Sequence, residues 1–220
     1  MLPEAIRRIP LVNRGLVFAS WLQAKWFDHR FNVQTTGDVP LEQMTARGNP
    51  EEGNLYVPVH PRAGKAALDD LPIQDVTGYT FIDLGAGKGR MLFLAAMLPF
   101  EKVIGVEFGQ EVHDIAVENI RTYRNPAQRC RNLESVCMDA GLYEFPKTPL
   151  VVYIFNAFRP ALLERIAARI EQSLEQHPRD LILVMVNPEN SHLIERIRDL
   201  QLLKTTAHYK IFRSKTSSAS

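Results

Sequence analysis

Asp83, Gly85, Gly87 and Gly89 fall on alternate positions of the run Phe81-Ile82-Asp83-Leu84-Gly85-Ala86-Gly87-Lys88-Gly89-Arg90. An acid followed by alternating glycines suits the close approach of a ligand. Without a Cβ, the backbone can turn through φ > 0 and present its N–H groups to a bound group. Apolar residues flank the run, so the glycines join a strand predicted over 79–84 to a helix predicted over 91–98. A pyrophosphate-binding loop spaces its glycines G-x-G-x-x-G. Here Gly89 comes one position early, and Arg90 stands where the dinucleotide pattern places glycine. The spacing argues against a dinucleotide.

Three further strand ends carry polar residues. Glu107, followed by Phe108, ends a strand predicted over 102–108 and lies eighteen residues past Gly89. An acid at that spacing is placed to accept hydrogen bonds from both hydroxyls of a ribose. Asp139 follows a strand predicted over 133–138. Asn156 and Phe158, in Asn156-Ala157-Phe158-Arg159-Pro160, follow one predicted over 150–155. In open α/β sheets ligands gather beyond the carboxyl ends of the strands, so these residues share one crevice with the glycines. An amide oxygen there can accept N–H bonds from an amine and aim its lone pair, and an aromatic face can tolerate the ammonium that develops. Asn156 lies too far ahead of Pro160 to cap the helix predicted from that proline.

In this order, the segments resemble four motifs of the class I S-adenosylmethionine-dependent methyltransferases, over residues 55–213. The resemblance implies S-adenosyl-L-methionine as cofactor, with the loop of Asp83, Gly85, Ala86, Gly87 and Gly89 curving around its methionine and ribose parts. It places Glu107 and Phe108 at the ribose, Asp139 at the adenine amino group, and Asn156 with Phe158 at the methyl-transfer centre. Tyr56, in Asn54-Leu55-Tyr56-Val57-Pro58-Val59, is similar to the pre-motif residue that crosses the methionine end. One departure stands out, because Ala157 occupies a position where the family carries proline. Within the family, the chain looks closest to uncharacterised bacterial members related to protein lysine methyltransferases. The segment from Phe27-Asp28-His29-Arg30-Phe31 to Thr36-Gly37 shares that likeness. The implied activity is methyl transfer to an amine-type acceptor, a protein lysine among the candidates. A small-molecule acceptor and non-catalytic binding of the cofactor are the alternatives.

The elements that must position these residues follow the same alternation. Helices are predicted over 111–123 and 160–176, a buried strand over 181–186 and a helix over 191–200. Strands over 202–207 and 209–213 leave no room for a crossover helix, so they pair antiparallel. The expected fold is α/β: a Rossmann-like seven-stranded, mostly parallel sheet with a C-terminal antiparallel hairpin, helices on both faces and an N-terminal helical extension. Residues 1–54 form that extension and a lid loop, 55–213 the cofactor-binding domain, and 214–220 a disordered tail. Residues 5–31 read as one or two helices broken near Pro10. Their aromatic residues Trp21, Trp26, Phe27 and Phe31 can cover the sheet or, with Arg7, Arg8 and Arg14, rest peripherally on a membrane.

The 220 residues suffice for one domain with a full core. With 26 basic and 25 acidic residues the net charge is +1, so no overall basic field points to nucleic acid. The two cysteines make neither a disulfide framework nor a metal-ligand set. No apolar run has the length of a membrane span, and the N-terminus lacks a signal-peptide pattern, which makes the cytoplasm the expected compartment.

Overall fold

A computed structural model describes residues 11–37, 59–155 and 158–215. Helix α1 (Leu11–Phe31) and helix α2 (Pro61–Asp69) precede strand β1 (Thr80–Leu84), helix α3 (Arg90–Ala95), strand β2 (Lys102–Glu107) and helix α4 (Gln110–Thr122). Then come β3 (Leu133–Cys137), a 3-10 turn (Ala140–Leu142), β4 (Leu150–Phe155), α5 (Pro160–Gln176), β5 (Leu181–Val186), α6 (Ser191–Ile194), β6 (Leu200–Thr205) and β7 (Tyr209–Ser214). The seven strands form one sheet in the order β3-β2-β1-β4-β5-β7-β6. The first five run parallel, and β7 is antiparallel to both β5 and β6. The expected seven-stranded sheet with its terminal hairpin is present.

The central strands bury every residue of Thr80–Leu84 and Leu181–Val186, as strands covered on both faces must. Phe81, Val103, Val151 and Tyr153 point to one apolar core, shared with Phe27 of α1, Leu68 of α2 and Phe93 of α3. Ile82, Ile104, Val152 and Leu183 point to the other, filled by Leu162, Leu163, Ile166 and Ile170 of α5. The period of those α5 residues marks one helix face. Asp180, just before β5, accepts two bonds from Arg213 at 2.8 and 2.7 Å and one from the Tyr79 hydroxyl, which ties the hairpin to the rest of the sheet.

Several boundaries differ from the sequence reading. α1 is a single helix across 11–31, and residues 1–10 lie outside the described residues. α2 falls in a stretch to which the sequence reading gave no element. Pro61 opens it at the first helical position, and the His60 ring accepts from the Arg62 N–H at 3.2 Å. α6 stops at Ile194 rather than Leu200, because tight turns (Ile197 N–H to Ile194, Leu200 N–H to Ile197) return Ile197 and Leu200 to the core. β6 therefore begins at Leu200. Ser214, assigned to the tail from sequence, closes β7. Its buried hydroxyl accepts from the Leu181 N–H and donates to the Arg179 carbonyl, each at 2.9 Å.

Candidate functional site

The strand order reverses between β1 and β4, which opens a crevice beyond their carboxyl ends, the usual ligand position in such sheets. The glycine loop occupies the β1 side. Gly85, Gly87 and Gly89 have φ of 77°, 56° and 88°, a region that side chains disfavour. The loop lies across the end of β2, where the Gly85 and Ala86 N–H groups donate to the Val106 carbonyl at 2.8 and 3.0 Å. Gly89 then serves as the left-handed N-cap of α3.

Gly105 on β2 makes this packing possible. A Cβ there would sit 2.7 Å from the Ala86 Cβ and 3.0 Å from a Leu92 methyl. A glycine inside a strand signals such an approach, and the sequence reading passed over it. Gly105→Ala should destabilise the protein by about 1–3 kcal/mol through overpacking, measured by urea unfolding. Wild-type stability in that variant would mean that the loop can retreat freely from β2.

Glu107 is 5% exposed, and its two oxygens accept the Gly87 N–H at 2.8 Å and the Gly109 N–H at 2.9 Å. It therefore braces the glycine loop against the end of β2. Burial pushes its pKa up, against the pull of the N–H groups of Gly109, Gly87 and Phe108. Each oxygen keeps a further acceptor site, so the brace leaves capacity for a ribose hydroxyl. Asp83 is 4% exposed. Burial and the neighbouring Glu107 raise its pKa to about 8, so at neutral pH it holds its proton.

Asp139 caps the 3-10 turn by accepting the Gly141 N–H at 2.7 Å, and it pairs with Arg165 of α5 at 3.1 Å. An adenine contact would have to share a carboxylate that is already engaged on both oxygens. Phe108 is half-buried beside Glu107. Phe158 is 9% exposed within the apolar core under α5, so packing accounts for its ring. Tyr56, Asn156 and Ala157 lie outside the described residues. In the sequence, Asn156 directly follows Phe155, the last residue of β4.

The structure also brings in residues that sequence reasoning did not place at the site. Arg90, 3% exposed, donates to the Thr35 hydroxyl at 2.8 Å, the Thr36 hydroxyl at 3.0 Å and the Val59 carbonyl at 2.9 Å. Asp28 of α1 accepts the Thr35 and Thr36 N–H groups at 3.0 and 2.7 Å and lies 4.0 Å from the Arg90 guanidinium. Lys88 donates to the Gly37 carbonyl at 2.7 Å, and the Asn119 amide joins Gln34 to the Lys88 carbonyl. The non-glycine residues of the loop thus fasten residues 34–37 and 59 beside it. The arginine in place of a third pyrophosphate glycine was the available signal. Among the described residues, no group of His, Cys, Asp or Glu could hold a metal ion. None of the helices described is long and apolar enough to cross a membrane.

Solved structures share this architecture. One, assigned as an RNA methyltransferase of Pyrococcus horikoshii, superposes with a TM-score of 0.54 at 17% identity, over 82% of this chain and 94% of its own. The chain shares the fold of that protein. A 16S rRNA guanine-N2 methyltransferase of Thermus thermophilus, solved with AdoMet and guanosine, gives 0.51 at 18% identity, over 73% of this chain and 44% of its own. A protein assigned as an N6-adenine-specific DNA methylase of Listeria monocytogenes gives 0.53 at 11% identity, over 72% and 52%. No protein-family model matches the sequence, and no curated protein aligns with it significantly.

Proposed function

We propose that the chain is an S-adenosyl-L-methionine-dependent methyltransferase that acts on an amine-type acceptor, with a protein lysine as the first candidate. The observation that carries the reading is the loop of three φ > 0 glycines braced by Glu107 at the switch point between β1 and β4. The site fits the cofactor. The loop carries three φ > 0 glycines, and the Tyr153 hydroxyl, buried on the strand beside Asp83, has no partner among the described residues. Asp83, Gly85, Ala86, Gly87 and Gly89 would hold the methionine and ribose parts, Glu107 and Phe108 the ribose, and Asp139 the adenine, with Tyr56 crossing the methionine end.

The bound cofactor supplies an electrophilic methyl group on a sulfonium. The protein's own task is then positioning more than proton chemistry. In this reading the Asn156 side-chain oxygen accepts an N–H of the acceptor and aims the nitrogen lone pair, while the Phe158 ring, packed in the core under α5, backs that segment. A lysine acceptor also sheds a proton, which burial of the amine favours. The fold neighbours act on, or are assigned to, RNA and DNA, so nucleic acid belongs in the acceptor screen beside proteins and small molecules. Trp26, 62% exposed on α1, supports a peripheral membrane contact for that helix.

Calorimetric titration with S-adenosylmethionine, S-adenosylhomocysteine and NADH tests the reading. Binding of the two adenosyl ligands without NADH is expected, and NADH binding alone would overturn it. Asn156→Ala should lower kcat by roughly tenfold while cofactor affinity stays within about twofold. Equal losses in both would make Asn156 a cofactor residue.

A further inference from the structure

Among the described residues, two non-glycine positions have positive φ, and both are asparagines: Asn32 at 55° and Asn187 at 50°. Asparagine tolerates this region better than most residues, because its short amide can hydrogen-bond nearby backbone. Asn32 spends its amide on the fold, donating to the Thr122 carbonyl at 3.1 Å. Asn187 differs. Its side chain is exposed, and no hydrogen bond joins it to the described residues. The backbone alone carries the turn. The Asn187 N–H donates to the His208 carbonyl at 2.9 Å, and its carbonyl accepts the Glu189 N–H at 2.9 Å. Glycine would make the same turn with less strain, so the free amide is the part that a turn does not explain.

The place of Asn187 in the sheet gives that amide a use. Val186 ends β5 and is the register partner of Phe155, which ends β4. Asn187 therefore leaves the sheet at its carboxyl edge, one strand from the switch point between β1 and β4, where ligands of such sheets gather. Resting on the acceptor reading above, we propose that Asn187 is a second acceptor-binding residue. Its amide oxygen accepts one N–H of a primary amine, and the other N–H is the one already given to Asn156.

The chemistry of a primary amine fits two such oxygens. The neutral amine has two N–H bonds and one lone pair. Acceptors that take both N–H bonds leave only the lone pair to face the methyl donor. That pair forms the N–CH3 bond while the C–S bond of the sulfonium breaks. The electrons of the broken bond stay on sulfur, leaving S-adenosylhomocysteine, and the new methylammonium releases a proton to solvent. A neutral amide suits the task better than a carboxylate, which would favour the protonated amine with no lone pair to give. A monomethylated amine returns with a single N–H, so one of the two oxygens has nothing to hold. The site thus selects primary amines and favours the first transfer over the second.

Asn187→Gly removes the amide and keeps the turn. A whole-cell extract is incubated with trideuteromethyl S-adenosylmethionine and either protein, and mass spectrometry counts the labelled methyl groups on each amine. The variant should match or exceed the wild-type Tm and bind S-adenosylhomocysteine within about twofold of wild type, while the first transfer slows by about tenfold. The ratio of dimethylated to monomethylated product should rise by about threefold or more, because the second transfer does not need both N–H contacts. A merely structural role would not move that ratio. Asn187→Asp should lower both KM and kcat for the labelled acceptor, the split expected of an amine held in its protonated form. Wild-type rate and product ratio in Asn187→Gly would make Asn187 a turn residue, which overturns the inference and leaves the acceptor reading standing. Lost affinity for S-adenosylhomocysteine in that variant would make it a cofactor residue and overturn the inference equally. Transfer by wild type to no amine in the extract overturns the acceptor reading, and the inference with it.

Discussion

Gly87→Val should lower affinity for S-adenosylhomocysteine by about a hundredfold or more while the protein stays folded. Gly87 has a φ of 56°, where a β-branched side chain is a genuine outlier and even simple L-residues are strained by about 1–2 kcal/mol. Relief of that strain requires φ to turn negative, which rotates the Gly87 N–H away from Glu107. The Glu107 oxygen that accepts it at 2.8 Å would then be buried without its donor. The substitution thus fills the approach space of the ligand and breaks the brace of the loop at once. Gly78→Val provides the control. Gly78 has a φ of 80° and nothing within 4 Å of an added Cβ, so it carries the same backbone strain away from the crevice. The control should lose stability but keep its ligand affinity. Wild-type affinity in a folded Gly87→Val protein would refute the loop as cofactor cradle.

The parts of the fold legible in the sequence were those specified by neighbours in the chain. The buried strands read as apolar runs with an acid at the end of β2, and α5 shows its period directly in Leu162, Leu163, Ile166 and Ile170. The short link between β6 and β7 excludes a crossover helix and sets their antiparallel sense. At the crevice, the glycine spacing was enough to place Gly85, Gly87 and Gly89, whose positive φ then explains why they are glycines. What stayed illegible depends on residues far apart in sequence. Gly105 is glycine because Ala86 and Leu92 lie against it, and a glycine inside a strand marks such an approach without saying which residues make it. Asp139 reads as a site residue by position, yet the Gly141 N–H and Arg165 already engage it. Phe158 fits a motif register and also the apolar core, and only packing separates the two. Tyr153 reads as one more apolar strand residue until its unpaired hydroxyl is seen beside Asp83. α2 had a local signal in Pro61, masked by the turn-rich stretch before it.

Arg90→Met should destabilise the protein by about 3 kcal/mol and release the N-terminal segment from the glycine loop. The guanidinium is 3% exposed and serves two threonine hydroxyls and a carbonyl, with Asp28 at 4.0 Å. Methionine restores much of the apolar stem but none of the donors. Three acceptors lose their bonds at about 1 kcal/mol each, and Asp28, 7% exposed, loses the nearby positive charge. The long contact and the backbone N–H groups that still hold Asp28 keep the loss toward the low end of the 3–5 kcal/mol typical for a broken buried pair. Arg90→Lys should recover only part of it, because one ammonium cannot span the acceptors that a planar fork reaches. Urea unfolding gives the stability change, and hydrogen exchange over residues 32–37 reads the release. Exchange should rise there in Arg90→Met, and less so at the centre of β5, whose residues are all buried far from this contact. Unchanged exchange at 32–37 would mean that Asp28 and Asn119 hold the segment without the arginine. The loop would then owe nothing to the residues in front of it. If the exchange rises and cofactor affinity falls with it, the N-terminal segment belongs to the binding site as much as the glycines do.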